Sequence, residues 1–231
     1  MATLYIVATP IGNLSELSLR AIETLKGVDL ILCEDTRVTR KLLAHYQIKT
    51  PVLSYHQHRE LRKVEYIIKL LKEDKNFALV SDAGTPGISD PGNKLVEKAI
   101  ESLGDRVKIV PVSGPSAITA AASISGFPMD KFIFMGFPPA KKKRGKFFKE
   151  IVNSKYPVIF YESPYRIIKT LNELKDSLIC HGRINAFKIV VCRELTKKFE
   201  TVYRGTIEET LKQLGKSKVK GEFVVVVEGK H

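Results

Sequence analysis

Twelve consecutive residues, Ser81-Asp82-Ala83-Gly84-Thr85-Pro86-Gly87-Ile88-Ser89-Asp90-Pro91-Gly92, hold three glycines, two prolines and two aspartates. Glycine lets the backbone approach a ligand closely and proline keeps the loop stiff. A loop of this composition suits a small molecule held by backbone groups and short side chains. It lacks the G-x-x-x-x-G-K-[ST] pattern of a triphosphate cradle. The first strand-to-helix turn reads Pro10-Ile11-Gly12-Asn13-Leu14 in place of G-x-G-x-x-G, so a Rossmann dinucleotide site, or the glycine-rich Rossmann site for S-adenosylmethionine, is not supported.

A second set of residues could remove a proton from a weakly acidic group. Glu34, Asp35, Glu162, Glu194 and Lys197 fall at or just past the ends of apolar strand-like runs, where a general base belongs in an α/β protein. Each also has a plainer role. Asp35 reads as the N-cap of a helix beginning at Thr36, Glu162-Ser163-Pro164 as a strand end leading into a helix, and Lys197-Lys198 as a solvated pair. Arg37 and Arg166 suit bidentate recognition of phosphate or carboxylate. His56-Gln57-His58 offers two imidazoles, but without a neighbouring cysteine or carboxylate cluster no metal is expected.

The third feature is cationic. Lys141-Lys142-Lys143-Arg144-Gly145-Lys146-Phe147-Phe148-Lys149 packs six cations into nine residues. Such a loop binds phosphates without regard to base sequence, or is merely solvated. Its two phenylalanines either stack a base or enter the core.

Short β-branched runs alternate with stretches of helical period, which predicts βαβ units, mainly parallel or mixed sheets and an α/β fold class. Strands are expected at 4–8, 30–33, 77–80, 107–112, 132–135, 158–161, 187–192, 200–204 and 222–227. Helices are expected at 17–26, closed by Gly27, and at 36–46, 59–72, 94–103, 117–124, 165–178 and 207–214. The pattern breaks at Ser113-Gly114-Pro115-Ser116, which predicts two α/β domains, 1–112 and 113–231.

The charge divides along the same line. Residues 1–113 carry 16 basic and 14 acidic side chains, residues 114–231 carry 22 and 11, and the chain's net charge is +13. A basic second half points to a polyanionic partner, nucleic acid foremost. The composition excludes a disordered tail, a collagen-like fibre or a coiled-coil rod. No apolar run reaches the ~20 residues of a membrane span, and a β-branched run starts where a signal peptide would stand, so a cytoplasmic protein without a membrane partner is expected. Cys33, Cys180 and Cys192 lack metal or redox spacing and are expected to be reduced and structural.

Eight motifs occur in order: Ala8-Thr9-Pro10-Ile11-Gly12-Asn13-Leu14, Glu34-Asp35-Thr36-Arg37, the 81–92 loop, Gly114-Pro115-Ser116-Ala117, Ser125-Gly126-Phe127-Pro128, Gly136-Phe137-Pro138-Pro139, Tyr161-Glu162-Ser163-Pro164-Tyr165-Arg166 and Arg193-Glu194-Leu195-Thr196-Lys197. Together they resemble the ribosomal RNA small-subunit methyltransferase I family of tetrapyrrole-methylase-like enzymes. The resemblance implies a homodimer of two-domain chains with S-adenosyl-L-methionine bound in the interdomain cleft. It also implies 2′-O-methylation of a decoding-centre (P-site) cytidine in the 16S ribosomal RNA of the 30S subunit.

Carried onto this chain, it implies donor contacts from Pro10, Asp82, Ala83, Gly84, Thr85, Ile88, Ser89, Ala117, Phe137, Glu194, Leu195 and Thr196. Asp35, Arg37, Tyr161, Glu162 and Arg166 would face the acceptor. Asp35, Glu162 and Glu194 are the expected catalytic carboxylates, and Arg37, Arg166, Lys141, Lys142, Lys143, Arg144 and Lys146 the expected RNA contacts. The chain departs from the pattern at Arg59, at Tyr165 where histidine is more usual, and in ending soon after residue 227, where family members commonly run on into a helical extension. The alternative is a C-methyltransferase of the same fold acting on a tetrapyrrole corrinoid precursor, since tetrapyrroles also carry several carboxylates. A non-catalytic RNA-binding protein is a third reading, disfavoured by the 81–92 loop.

Overall fold

The computed structural model describes residues 1–55, 61–182, 187–216 and 219–230, with the side chains of 61 and 62 excepted. His56-Gln57-His58 and Arg59 lie outside the described residues. The chain divides into two compact units, Met1–Ser116 and Ala117–His231, so the break falls at the far end of Ser113-Gly114-Pro115-Ser116.

In the first unit, strands β1 (Ala2–Val7), β2 (Leu30–Cys33), β3 (Val52–Ser54), β4 (Phe77–Val80) and β5 (Val107–Val112) form one sheet in the order β3-β2-β4-β1-β5. Every pairing in it is parallel. Helices α1 (Leu19–Gly27) and α2 (Thr36–His45) pack Leu25 and Leu43 against Val7, Ile31 and Val80 on one face. Helices α3 (Leu61–Lys72) and α4 (Asn93–Leu103) pack Ile67, Leu71 and Leu95 against Leu4, Phe77 and Leu79 on the other. Strand β4 is buried on both faces, which is why its sequence is an unbroken apolar run with no alternation. Helix α1 starts at its Ser18 cap, whose hydroxyl accepts from the Ala21 N–H, and Gly27 is its last helical residue, not the residue beyond its end.

The second unit is built differently. Strands β6 (Ile133–Phe134), β7 (Val158–Glu162), β8 (Ile189–Arg193), β9 (Thr201–Gly205) and β10 (Phe223–Val227) lie in the order β6-β7-β10-β8-β9. Among the described residues only β6 and β7 pair in parallel; the other pairings are antiparallel. The central strand β10 is buried along its whole length. Its helices are α5 (Ala117–Ser125), α6 (Arg144–Asn153), α7 (Ile167–Cys180) and α8 (Ile207–Leu214). Phe147, Phe148, Ile151 and Val152 of α6, with Leu171 and Leu174 of α7, cover Val225, Val227 and Val191.

Two elements depart from the sequence expectation. Helix α6 forms where a loop was expected, because residues 147, 148, 151 and 152 recur at helical spacing and reach the core. Strand β3 was missed: it has three residues, all half-buried. Cys33 and Cys192 are buried on strands, whereas Cys180 is exposed at the end of α7.

Candidate active site

Parallel pairing puts the carboxyl ends of β1, β2, β4 and β5 on one edge of the first sheet. The chain leaves β1 toward β2 and leaves β4 in the opposite direction, toward β5, so the strand order reverses between these two neighbours. That reversal is where open α/β sheets bind ligands. The loops leaving β1 and β4 are joined there by paired backbone bonds: Thr9 N–H to Gly84 O at 2.9 Å and Gly84 N–H to Thr9 O at 3.1 Å. The buried Thr9 hydroxyl donates to Ser81 O at 3.1 Å, and Ser81 Oγ donates to Gly84 O at 3.1 Å. Thr85 Oγ1 donates to Pro115 O at 3.4 Å, tying in the loop after β5.

Backbone strain concentrates in this loop. Gly84, Gly87 and Gly92 have positive φ, and so does Ser89, a non-glycine, at 61°. At Gly92 a Cβ would stand 2.9 Å from Leu79 Cδ2, so both conformation and packing require glycine there. Of the expected donor contacts in this unit, Pro10 and Gly84 are buried, Thr85 is half-buried, and Asp82, Ala83, Ile88 and Ser89 are exposed.

Asp35 ends the neighbouring β2 connection, and its N–H donates to Asp82 Oδ1 at 3.2 Å. Its carboxylate caps α2 through the Arg37 N–H at 2.8 Å and takes the Arg37 guanidinium, with Nη2 2.6 Å from Oδ2. Those bonds hold the Asp35 carboxyl well below the usual carboxylate range. Asp35 is therefore an anion at neutral pH and a weak base, and the capping role read from the sequence is present. The Arg37 side chain is 85% exposed.

In the second unit Glu162 ends β7 and Arg193 ends β8, and both face Phe223 of β10. The Glu162 side chain is wholly buried. It accepts from the Ser163 N–H at 2.7 Å and from Thr170 Oγ1 at 2.6 Å, and pairs with Arg166 at 2.8 Å. It was expected to face the acceptor; burial and three internal partners hold it as an anchor. Arg144, expected to contact RNA, is held within the unit. It is 8% exposed, pairs with Glu173, donates to Thr170 Oγ1, and donates to Pro139 O at 2.9 Å. Arg166 donates to Pro138 O at 3.2 Å, so two guanidiniums clamp the Phe137-Pro138-Pro139 turn. Phe137 itself stays half exposed beside Tyr161, with ring centroids 5.4 Å apart. Lys141, Lys142, Lys143 and Lys146 are exposed, while Phe147 and Phe148 enter the core.

The turn after β8 is strained as well, with Glu194 at φ 52° and Thr196 at φ 66°. Glu194 Oε1 accepts from the Glu222 N–H and from Lys197 Nζ, both at 2.9 Å. Lys197 Nζ also meets Glu222 Oε2 at 2.9 Å. Burial alone would raise the Glu194 carboxyl, but the Glu222 N–H and the Lys197 ammonium outweigh it and the net shift is downward. Burial would lower Lys197, but its two carboxylates outweigh that and raise it, which removes it as a base at neutral pH. Leu195 is buried, and Thr196 Oγ1 is a buried hydroxyl with no hydrogen-bond partner among the described residues. Strain and an orphaned donor at one turn are the marks of a ligand contact, so these residues fit a bound small molecule. Ala117 opens α5, half-buried. Sequence reasoning missed Thr9 and Thr170. Thr9 lies within the 8–14 motif, whereas Thr170 carries no sequence signal.

The fold is that of solved tetrapyrrole methyltransferases. It matches a cobalamin biosynthetic enzyme, cobalt precorrin-4 methyltransferase, with a TM-score of 0.71 at 18% identity, over 98% of this chain and 94% of that one. It matches uroporphyrin-III-C-methyltransferase from Thermus thermophilus with a TM-score of 0.64 at 19% identity, over 97% and 93%. At these identities the likeness is one of fold. The family model described as Tetrapyrrole (Corrin/Porphyrin) Methylases matches residues 3–211. Ribosomal RNA small subunit methyltransferase I of Thermotoga maritima is 44% identical over 230 residues, 100% of both chains. The Bacillus subtilis protein of that name is 44% identical over 99% of this chain and 76% of its own length. The chain belongs to the tetrapyrrole methylase family and, within it, to the ribosomal RNA small subunit methyltransferase I family. Relatives thus include both a chain matched to its full length and longer ones.

Proposed function

We propose that the protein transfers a methyl group from S-adenosyl-L-methionine to the ribose 2′-oxygen of a decoding-centre cytidine in 16S ribosomal RNA, acting in the cytoplasm as a homodimer. What carries this reading is the 44% identity, end to end, with a relative named ribosomal RNA small subunit methyltransferase I. The tetrapyrrole alternative has only the shared fold at 18% identity in its favour.

Each unit holds a strained turn, the 81–92 loop in the first and the Glu194–Thr196 turn in the second, and strain of this kind supports a ligand contact in each. The donor supplies an electrophilic methyl on a sulfonium, which needs no metal to leave. The Asp82 to Ser89 backbone and the Thr9–Gly84 pairing give a stiff, uncharged wall suited to a zwitterion with a nucleoside. Alignment of donor and acceptor is the main device, since fixed near-attack geometry is worth up to ~7–11 kcal/mol. Among the three carboxylates, Asp35 is the most open to solvent, with 26% of its side chain exposed against 0% for Glu162 and 19% for Glu194, which favours it as the one that meets the hydroxyl. Glu162 is buried and Glu194 is committed to Lys197, so both act as positioning residues. Asn retains the helix cap, so Asp35→Asn is expected to slow single-turnover transfer on the order of 10² at the low end for acid–base catalysis. A rate within about threefold of wild type removes Asp35 from the chemistry.

The deciding experiment uses 30S subunits from a strain lacking this methylation, incubated with the protein and labelled donor, followed by mapping of 2′-O-methyl groups. One cytidine ribose is expected to gain a methyl group. If no ribose in 16S RNA is labelled while calorimetry still detects donor binding, the proposed substrate is wrong.

A further inference from the structure

Among the described residues, Tyr165 and Phe199 are the most exposed phenyl rings, at 95% and 67%. Rings this open add little to a core, and neither takes part in the hydrogen-bonded networks of the second unit. Both leave the same edge of one sheet. Tyr165 lies in the connection after β7 and Phe199 in the connection between β8 and β9. The last residues of those strands, Glu162 and Arg193, are both level with Phe223 of β10. The two connections therefore start side by side, two strand spacings or about 10 Å apart.

One ring has a cation beside it, and a second lysine lies at the same edge. Lys198 Nζ stands 5.7 Å from the Phe199 centroid, and Lys198 and Lys220 are exposed. Arg193 Nε donates to Lys220 O at 2.7 Å, holding that lysine's backbone at the same edge. Open aromatic faces set among lysines are what unpaired nucleotides require: the ring stacks a base and the ammonium meets a phosphate.

We propose that Tyr165 and Phe199 are stacking anchors for two unpaired nucleobases of an RNA strand, with Lys198 and Lys220 on its phosphates. This rests on the ribosomal RNA reading above, and it assigns to two side chains the holding of single-stranded RNA at the strand ends of the second unit.

The chain contains no tryptophan, so Tyr165→Trp and Phe199→Trp each introduce a sole indole whose emission a stacked base quenches. Quenching is expected with a short single-stranded RNA and not with an A-form duplex of equal length. Tyr165→Ala and Phe199→Ala are each expected to weaken single-strand binding roughly tenfold. Tyr165→Phe restores it, while donor affinity and the thermal midpoint stay unchanged. The proposal is overturned if the indoles are unquenched with RNA bound, or if the alanine variants bind RNA like wild type. It is also overturned if those variants change the sedimentation of the protein alone, since a second copy of the chain would then cover the rings. If wild type binds donor but no RNA at all, the ribosomal RNA reading falls and this proposal with it.

Discussion

The edges of the two sheets are held by different forces. In the first unit the 81–92 loop is fixed by backbone pairing, by the hydroxyls of Thr9, Ser81 and Thr85, and by residues at positive φ. In the second, charged side chains do the fixing: Glu162 with Arg166, Arg144 with Glu173, and Lys197 with Glu194 and Glu222. An edge held mainly by backbone and hydroxyl bonds depends little on salt and suits a small zwitterion. A charged edge is cohesive where it is buried and responsive to salt where it is open, which suits a polyanion. The contrast matches the sequence, where the excess of basic residues lies almost wholly beyond residue 113.

The largest effect should come from the buried charges. Glu162→Ala takes the carboxylate from Arg166 and the acceptor from Thr170 and is expected to cost about 3–5 kcal/mol in urea unfolding. A loss under 1 kcal/mol would mean the charges do not hold this edge. At the edge of the first sheet, Gly92→Ala forces a Cβ to within 2.9 Å of Leu79 Cδ2 and is expected to cost roughly 1–3 kcal/mol. It should weaken donor binding in calorimetry while leaving RNA binding intact; equal loss of both would erase the distinction between the edges.

Neutralising Lys141, Lys142, Lys143 and Lys146 tests the open charges. Fold stability should hardly move, while the slope of log affinity against log salt should become shallower by about 0.7 per lysine. Arg144→Gln should do the reverse, losing stability with little change in salt slope. The smallest effect concerns pH. Glu194 lies below its ordinary value of 4.5, so its contribution is present above that value and is lost as pH falls through the lowered one. Glu194→Gln should therefore be less stable than wild type at neutral pH, with the gap closing in acid; a gap that widens in acid would reverse the assigned shift.

The elements were legible where one force dominates. β4 reads as a strand because both of its faces are covered, and α4 because Leu95, Ala99 and Leu103 recur on one buried stripe. Helix α6 was hidden because a block of lysines runs up to it and Gly145 stands in its first turn, although Phe147, Phe148, Ile151 and Val152 already carried the helical period. Asp35 was correctly read as a cap because capping is a local event within three residues. Arg144 and Glu162 could not be read, because their partners lie 29 and 8 residues away on α7, and nothing in a linear string separates a buried arginine from its exposed lysine neighbours.

The sequence by itself determined the α/β class, the glycine- and proline-rich composition of the 81–92 loop and the basic second half, because strand period, residue type and net charge are properties of short segments. Only the tertiary structure decided that the first sheet is wholly parallel and the second largely antiparallel, and which charges are free. Strand pairing and burial depend on contacts between distant residues, and a cation's role depends on whether folding has already given it a carboxylate.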